Sequence, residues 1–271
     1  MKKKIKVLVL ADHPFSPSGV GTQTRYMVEH LLDTGSYSFI CFGGAVKHKD
    51  YSPQKYEKYG DDLVVYPVDG YGTQEMLRSV IRTEKPDILW FMTDPRFFGW
   101  LWEIEDEIRS LLPMVYYHVW DNYPYPDFNK IWYSSADVVV AISKLTHDIV
   151  KNVAPETESH YLPHAVNSQA FKPFTEEQRT EVRASSGIPE DKFVVFWNNR
   201  NARRKHSGTL IFWFKEFLDR VGHDKAKLIM HTDPKDPNGP NLLSTINKLG
   251  LGSGEVQFST QKLDFPQMAA L

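Results

Sequence analysis

The stretch Phe193-Val-Val-Phe-Trp-Asn-Asn-Arg-Asn-Ala-Arg-Arg-Lys-His-Ser207 runs from an apolar segment into a polar, cationic loop. Val194, Val195 and Phe196 have strand character, and Leu210, Ile211, Phe214, Phe217 and Leu218 then recur at helical spacing. The pattern predicts a strand that ends where a helix begins, with Ser207 as the expected N-cap. Arg200, Arg203, Arg204 and Lys205 fall in the connection. A helix N-terminus offers free N–H groups and the positive end of the helix dipole, so cations gathered there suit a pyrophosphate. The alternative reading is a solvated surface loop.

Working outward, 271 residues exceed one ordinary domain, and 41% apolar content with 13% aromatics is ample for two buried α/β cores. A net charge of −2 with mixed signs argues against a nucleic-acid protein held by a global basic field, and makes the cationic loop a local feature. The expected partner is small. Cys41 is the one cysteine, so no intrachain disulfide forms and a reducing compartment is expected. The basic run Met1 to Lys6 precedes an apolar stretch too short for a signal peptide or membrane span, which makes the cytoplasm the expected location.

Ile5, Val7, Leu8, Val9 and Leu10 form a near-continuous apolar run, as expected of a central parallel strand covered on both faces. A turn containing Ser18, Gly19, Gly21 and Thr22 follows, and helical periodicity resumes over Thr22 to Leu32. Glycines at such a turn permit positive φ and close approach of a ligand; a plain tight turn reads equally from the residues. The turn lacks Gly-x-Gly-x-x-Gly, since position 24 is Thr.

Further strands are predicted at Tyr37 to Phe42, Leu63 to Tyr66, Ile88 to Met92, Met114 to His118 and Val138 to Ile142, with helices at Gln74 to Thr83, Phe98 to Leu111 and Lys144 to Asn152. In doubly wound sheets ligands bind beyond the carboxyl ends of strands, which singles out Ser18 to Thr22, Thr93-Asp94 and His118 to Asp121. His118 opens the aromatic loop His-Val-Trp120-Asp121-Asn-Tyr-Pro-Tyr-Pro, suited to sugar rings, although a structural histidine fits the same position. Pro163 and Pro173 flank a linker, giving expected domains 1–168 and 169–271. The second is expected to hold strands at Phe193 to Trp197, Lys227 to His231 and Val256 to Phe258, with helices at Thr209 to Arg220, Asn241 to Leu249 and from Phe265. His160 and His164 carry helical metal-ligand spacing, but Pro163 between them removes the helix.

Four motifs in order, Ser18-Gly-Val-Gly-Thr-Gln-Thr, Ser135-Ala-Asp-Val-Val-Val-Ala-Ile-Ser143, Leu162-Pro-His-Ala-Val-Asn-Ser-Gln-Ala-Phe171-Lys-Pro and Asn199-Arg-Asn-Ala-Arg-Arg-Lys205, resemble the retaining GT-B glycosyltransferases. That large family includes sucrose synthases and phosphatidylinositol mannosyltransferases. The resemblance spans nearly the whole chain and implies two Rossmann-like, doubly wound domains, the second incomplete at Leu271 because the family's acidic Glu motif and crossing helix would lie beyond. A C-terminally truncated transferase, inactive alone, is therefore expected. Ala165, Asn167 and Asn199 stand where the family usually has Gly, Asp and Gly.

The resemblance further implies transfer of a sugar from a nucleotide-diphosphate sugar to a glycan, lipid or protein acceptor, with retained configuration. His118 becomes the expected catalytic side chain facing the donor sugar, Arg200 and Lys205 the phosphate ligands, and Gly19, Gly21 and Thr22 the loop facing donor and acceptor. Trp120 and Asp121 belong to a possible acceptor loop. The site is expected between the domains, with a hinge near Ala165 to Ala170. No Asp-x-Asp occurs, so no metal and no cofactor is expected, and protein cations carry the charge work. Competing readings are a sugar-nucleotide epimerase and a non-catalytic glycan- or partner-binding fragment.

Overall fold

A computed structural model describes residues 3–271; Met1 and Lys2 of the basic amino-terminal run lie outside the described residues. The chain forms two compact units that meet at Ala165 and Val166. No helix among the described residues is long and apolar enough to cross a membrane.

The first unit carries β1 (Ile5–Asp12), α1 (Gly19–Asp33), β2 (Tyr37–Gly44), β3 (Gln54–Tyr56), β4 (Gly60–Pro67), α2 (Gln74–Glu84) and β5 (Ile88–Met92). It continues with α3 (Gly99–Trp102), α4 (Glu105–Arg109), β6 (Met114–His118), α5 (Lys130–Ser134), β7 (Val138–Ala141), α6 (Lys144–Val153) and β8 (Ser159–Tyr161). Its eight strands lie in the order β3-β4-β2-β1-β5-β6-β7-β8, parallel apart from β3. The apolar run of β1 is explained by its central place. Leu8 and Leu10 pack with Phe42, Phe91 and Tyr116 on one face, while Val7 and Val9 pack with Phe39, Cys41 and Trp90 on the other. The winding reverses between β1 and β5, so the carboxyl ends of β1, β5 and β6 stand side by side. Turns after those strands therefore share one rim.

Two expected helices change form. The helix expected from Thr22 begins at Gly19, because Ser18 takes an extended conformation and its hydroxyl accepts the Gly21 N–H. The single helix expected over Phe98 to Leu111 is a 3-10 turn followed by the short α3 and α4, broken where Ile104 N–H turns back to the Leu101 carbonyl.

The second unit holds α7 (Glu176–Ser185), β9 (Phe193–Asn198), α8 (Ser207–Val221), β10 (Ala226–His231), α9 (Leu242–Lys248), β11 (Val256–Ser259) and α10 (Phe265–Ala270). Its parallel sheet runs β11-β10-β9. Ile211, Phe214 and Leu218 of α8 and Leu242 and Ile246 of α9 cover Leu228 and Met230. β9 is an edge strand, so Val195 and Trp197 pack on this core while Phe193 and Phe196 stay exposed. The architecture is α/β with two parallel, Rossmann-like sheets, the second carrying only three strands.

Candidate nucleotide-sugar site

The connection from β9 to α8 folds around a side chain that the sequence did not single out. Asn201 is fully buried. Its Nδ2 donates to the Pro240 carbonyl at 2.8 Å, and its Oδ1 accepts from the Ser207 hydroxyl at 2.6 Å. Gly239 lies against it so closely that an added Cβ would sit 2.3 Å from the Asn201 carbonyl oxygen and 2.4 Å from Oδ1. A glycine is required there by contact, and the Arg203 N–H to Asn238 carbonyl bond at 3.0 Å closes the same pairing of loops. The cationic loop is thus pinned from below.

Pinning has a consequence for the helix end. Ser207 is the first helical residue of α8 and not its cap, because its hydroxyl is committed to Asn201. The capping position is His206, in the left-handed region at φ 52°, and it supplies no side-chain cap. Among the described residues, the backbone N–H groups of Gly208 and Thr209 have no hydrogen-bond partner, the condition that makes a helix start an anion site. Arg203, Arg204 and Lys205 form a single 3-10 turn immediately before it, and their side chains make no ion pair among the described residues.

Arg200 differs from these three. Its Nε donates to Asp236 Oδ2 at 2.7 Å, and its Nη2 reaches Oδ1 at 3.4 Å. The guanidinium hydrogen bond, with the Asn238 donors after it, holds the Asp236 carboxyl well below the usual carboxylate range. The expected phosphate ligand Arg200 therefore already has an anionic partner, whereas Lys205 does not.

In the first unit, the β1–α1 turn is built differently. The Ser18 hydroxyl donates to Asp12 Oδ2 at 2.5 Å while accepting from the Gly21 N–H at 2.9 Å. Asp12 is buried and also receives the Tyr71 hydroxyl at 2.8 Å. Neither Gly19 nor Gly21 has a positive φ, since both lie in the first turn of α1. Gly21 is needed for packing: a Cβ there would meet Ser16 Oγ at 2.3 Å and the His13 carbonyl at 2.7 Å. Gly19 has nothing within 4 Å of an added Cβ and is the glycine that leaves the turn open. Thr22 closes the turn through its N–H to the Ser18 carbonyl at 2.9 Å.

His118 ends β6 fully buried. Its Nε2 lies 2.7 Å from the Tyr133 hydroxyl, which also accepts from Asn129 Nδ2 at 3.0 Å. Its Nδ1 is buried without a partner, as are Asn129 Oδ1 and Trp120 Nε1. Burial lowers the His118 pKa to about 3, with the Asp94 carboxylate opposing the shift. The imidazole is neutral at physiological pH. Asp94, at the adjacent strand end, is pushed up by burial but held below its ordinary value by Arg96. Arg96 also lies 5.7 Å over the Trp120 ring. Asp121 is exposed, and so are Tyr123, Tyr125 and Phe128 beyond it. Among the described residues no three His, Cys, Asp or Glu side chains come together as a metal-binding group.

Gln23, also missed by the sequence reading, clips the start of the linker: its Nε2 donates to the Ala165 carbonyl at 2.7 Å, and its Oε1 accepts the Ala165 N–H at 3.1 Å.

With this geometry in view, the fold is recognisable as that of the GT-B glycosyltransferases. No protein-family model and no curated protein matches the sequence. Solved structures match its fold. HepE from Anabaena, determined with UDP and glucose bound, is similar with a TM-score of 0.66 at 16% identity, over 97% of this chain and 71% of that one. A glycosyltransferase from Rickettsia africae gives 0.67 at 17% identity, over 99% and 71%. A trehalose-6-phosphate synthase from Burkholderia multivorans gives 0.62 at 11% identity, over 99% and 75%.

Proposed function

We propose that this chain is the sugar-nucleotide-binding part of a retaining, metal-independent glycosyltransferase. The observation that carries the reading is the uncapped start of α8, which sets free N–H groups beside three unpaired cations on a loop held in place by Asn201. Charge grows on the leaving diphosphate as a glycosidic bond to it breaks, and fixed N–H groups with Lys205 and Arg204 neutralise that charge without reorganising. UDP bound to HepE supports a nucleoside diphosphate as the ligand and UDP as the one to test first. The cytoplasm remains the proposed location.

In this reading His118 and the turns near it in the first unit are the groups that bind sugar and acceptor. His118, being neutral, serves as a hydrogen-bonding partner of a sugar hydroxyl and not as a proton donor to the leaving group. Since the imidazole is buried, the side chains around it must shift for a sugar to reach it. Gly19 leaves room for a ligand beside the α1 start, and Trp120 with Asp121 belongs to the acceptor loop.

Calorimetric titration of UDP tests the central claim. Lys205→Ala is expected to weaken binding on the order of ten- to a hundredfold, the usual range for losing a charge-assisted contact to phosphate. Arg200→Ala should cost less, because Asp236 already neutralises that guanidinium. Unchanged affinity in both variants makes the loop a solvated face, and loss of binding on chelation reveals a metal requirement.

A further inference from the structure

His118 at the carboxyl end of β6, Tyr133 of α5 and Asn129 just before that helix form a hydrogen-bond series whose polarity can be worked out. Tyr133 and Asn129 are fully buried, like His118, so each hydrogen bond they make is with protein. A tyrosine hydroxyl has one hydrogen to give. Here the hydroxyl contacts two groups, Asn129 Nδ2 at 3.0 Å and His118 Nε2 at 2.7 Å. The Asn129 amide nitrogen is a donor, so the hydroxyl hydrogen has one acceptor available, the lone pair of Nε2. If Nε2 carried the ring proton instead, two donors would converge on one oxygen and the buried hydroxyl hydrogen would have no acceptor, at the cost of an unmade buried hydrogen bond.

We infer that Asn129 and Tyr133 are positioning residues that fix His118 as its Nδ1–H tautomer, so that the unpartnered Nδ1 is a hydrogen-bond donor directed to an oxygen of the bound sugar. The role of Nδ1 toward sugar rests on the function proposed above; the tautomer does not. A neutral imidazole with an undefined proton divides its population between donor and acceptor at Nδ1, and a ligand oxygen that needs a donor meets the wrong form part of the time. Committing Nε2 as an acceptor removes that loss. The carbonyl oxygen of Asn129 is left without a partner by the same polarity, which agrees with its being unpaired.

The ring-nitrogen spectrum of the unsubstituted, 15N-labelled protein at neutral pH tests this without any ligand, with His118 assigned through its ring contacts to Tyr116 and Tyr133. A protonated Nδ1 and a bare Nε2 are expected. A protonated Nε2, which follows if the Asn129 amide is turned over, overturns the proposal. Tyr133→Phe should then leave a mixture of tautomers, and Asn129→Asp, which offers the hydroxyl an acceptor in place of a donor, should move the proton to Nε2. An unaltered Nδ1–H signal in both folded variants also overturns the proposal. In an active protein, Tyr133→Phe should lower kcat roughly tenfold with UDP affinity unchanged. Unchanged kcat alongside the expected tautomer shift leaves the hydrogen-bond polarity standing and overturns the sugar-contact role of His118.

Discussion

The turns from β1 to α1 and from β9 to α8 answer the same backbone problem in opposite ways. Each must start a helix directly after a parallel strand. In the first, Ser18 caps α1 by accepting the Gly21 N–H and passes its own hydrogen to the buried Asp12 side chain, so the capping hydroxyl and an acidic side chain are built into the turn. In the second, the nearest hydroxyl, Ser207, is withdrawn from capping by Asn201, and the turn ahead of α8 is cationic. A helix start already faced by an acidic side chain has little to gain from an anion. On the function proposed above, diphosphate therefore belongs at α8 and a neutral, hydroxyl-bearing ligand at α1.

The same contrast extends to the histidines, where the largest effect is expected. His118 is depressed by burial to about 3, and burial also lowers His13 and His164. In the second unit, hydrogen bonds donated to the Asp219 and Glu255 carboxylates raise His223. For His118 the unfolded chain binds the proton below its ordinary pKa of ~6.5 while the folded chain does not, so stability falls as pH drops from there towards 3. The limiting slope is about 1.4 kcal/mol per pH unit, or ~2 kcal/mol between pH 6.5 and 5. Denaturant unfolding across that range, compared with His118→Gln, measures it: equal slopes in the two proteins would show that the histidine titrates freely. His223 has the opposite sign, its stabilisation being present at acidic pH and lost as pH rises through its folded pKa.

Next in size is a pair of alanine substitutions at one turn. Gly21→Ala forces a Cβ against Ser16 Oγ and the His13 carbonyl and should cost about 1–3 kcal/mol. Gly19→Ala, with open space around it in a helical position, should cost nothing and gain up to ~1 kcal/mol. Thermal melts of both settle the stability ordering. If Gly19→Ala leaves stability intact yet weakens a sugar acceptor's binding, the open position serves the ligand; similar losses of stability in both would remove the distinction between the two glycines.

How much of this was legible beforehand depended on whether one local pattern carried the information. Strands covered on both faces announce themselves as continuous apolar runs, and β1, β2, β5 and β6 were placed to within a residue or two at their ends. β3 was missed because Gln54-Lys-Tyr56 is a short, polar edge strand without alternation. The break between α3 and α4 was missed because Trp100, Leu101, Ile104 and Ile108 keep helical spacing across it. At the candidate site, cations and glycines were visible as residue types, but their partners were not. Asp236 reaches Arg200 from a distant loop, and Gly239 is fixed by contact with Asn201, a relation that only the folded chain creates. Asn201 offered one signal, a small polar residue between cations at a strand-to-helix turn, where an Asx side chain often satisfies local backbone.

The smallest predicted effect probes the anion that reaches the cationic turn from the β10–α9 loop. Asp236 occupies Arg200 through Nε at 2.7 Å, and its Oδ1 accepts from the Asn238 N–H at 2.9 Å. A phosphate approaching α8 must share that guanidinium with the carboxylate or draw it away. Asp236→Asn retains an oxygen for the Asn238 N–H but removes the charge, so UDP affinity should rise a few-fold, and the gain should shrink in salt because the contact is exposed. The gain must also vanish in an Arg200→Ala background, since the two residues then no longer couple. Calorimetry on the single and double variants gives the coupling directly. A fall in affinity for Asp236→Asn alone would mean that the carboxylate aims Arg200 at the phosphate instead of competing for it, and the two turns would then both use an acidic side chain to order a ligand-facing group.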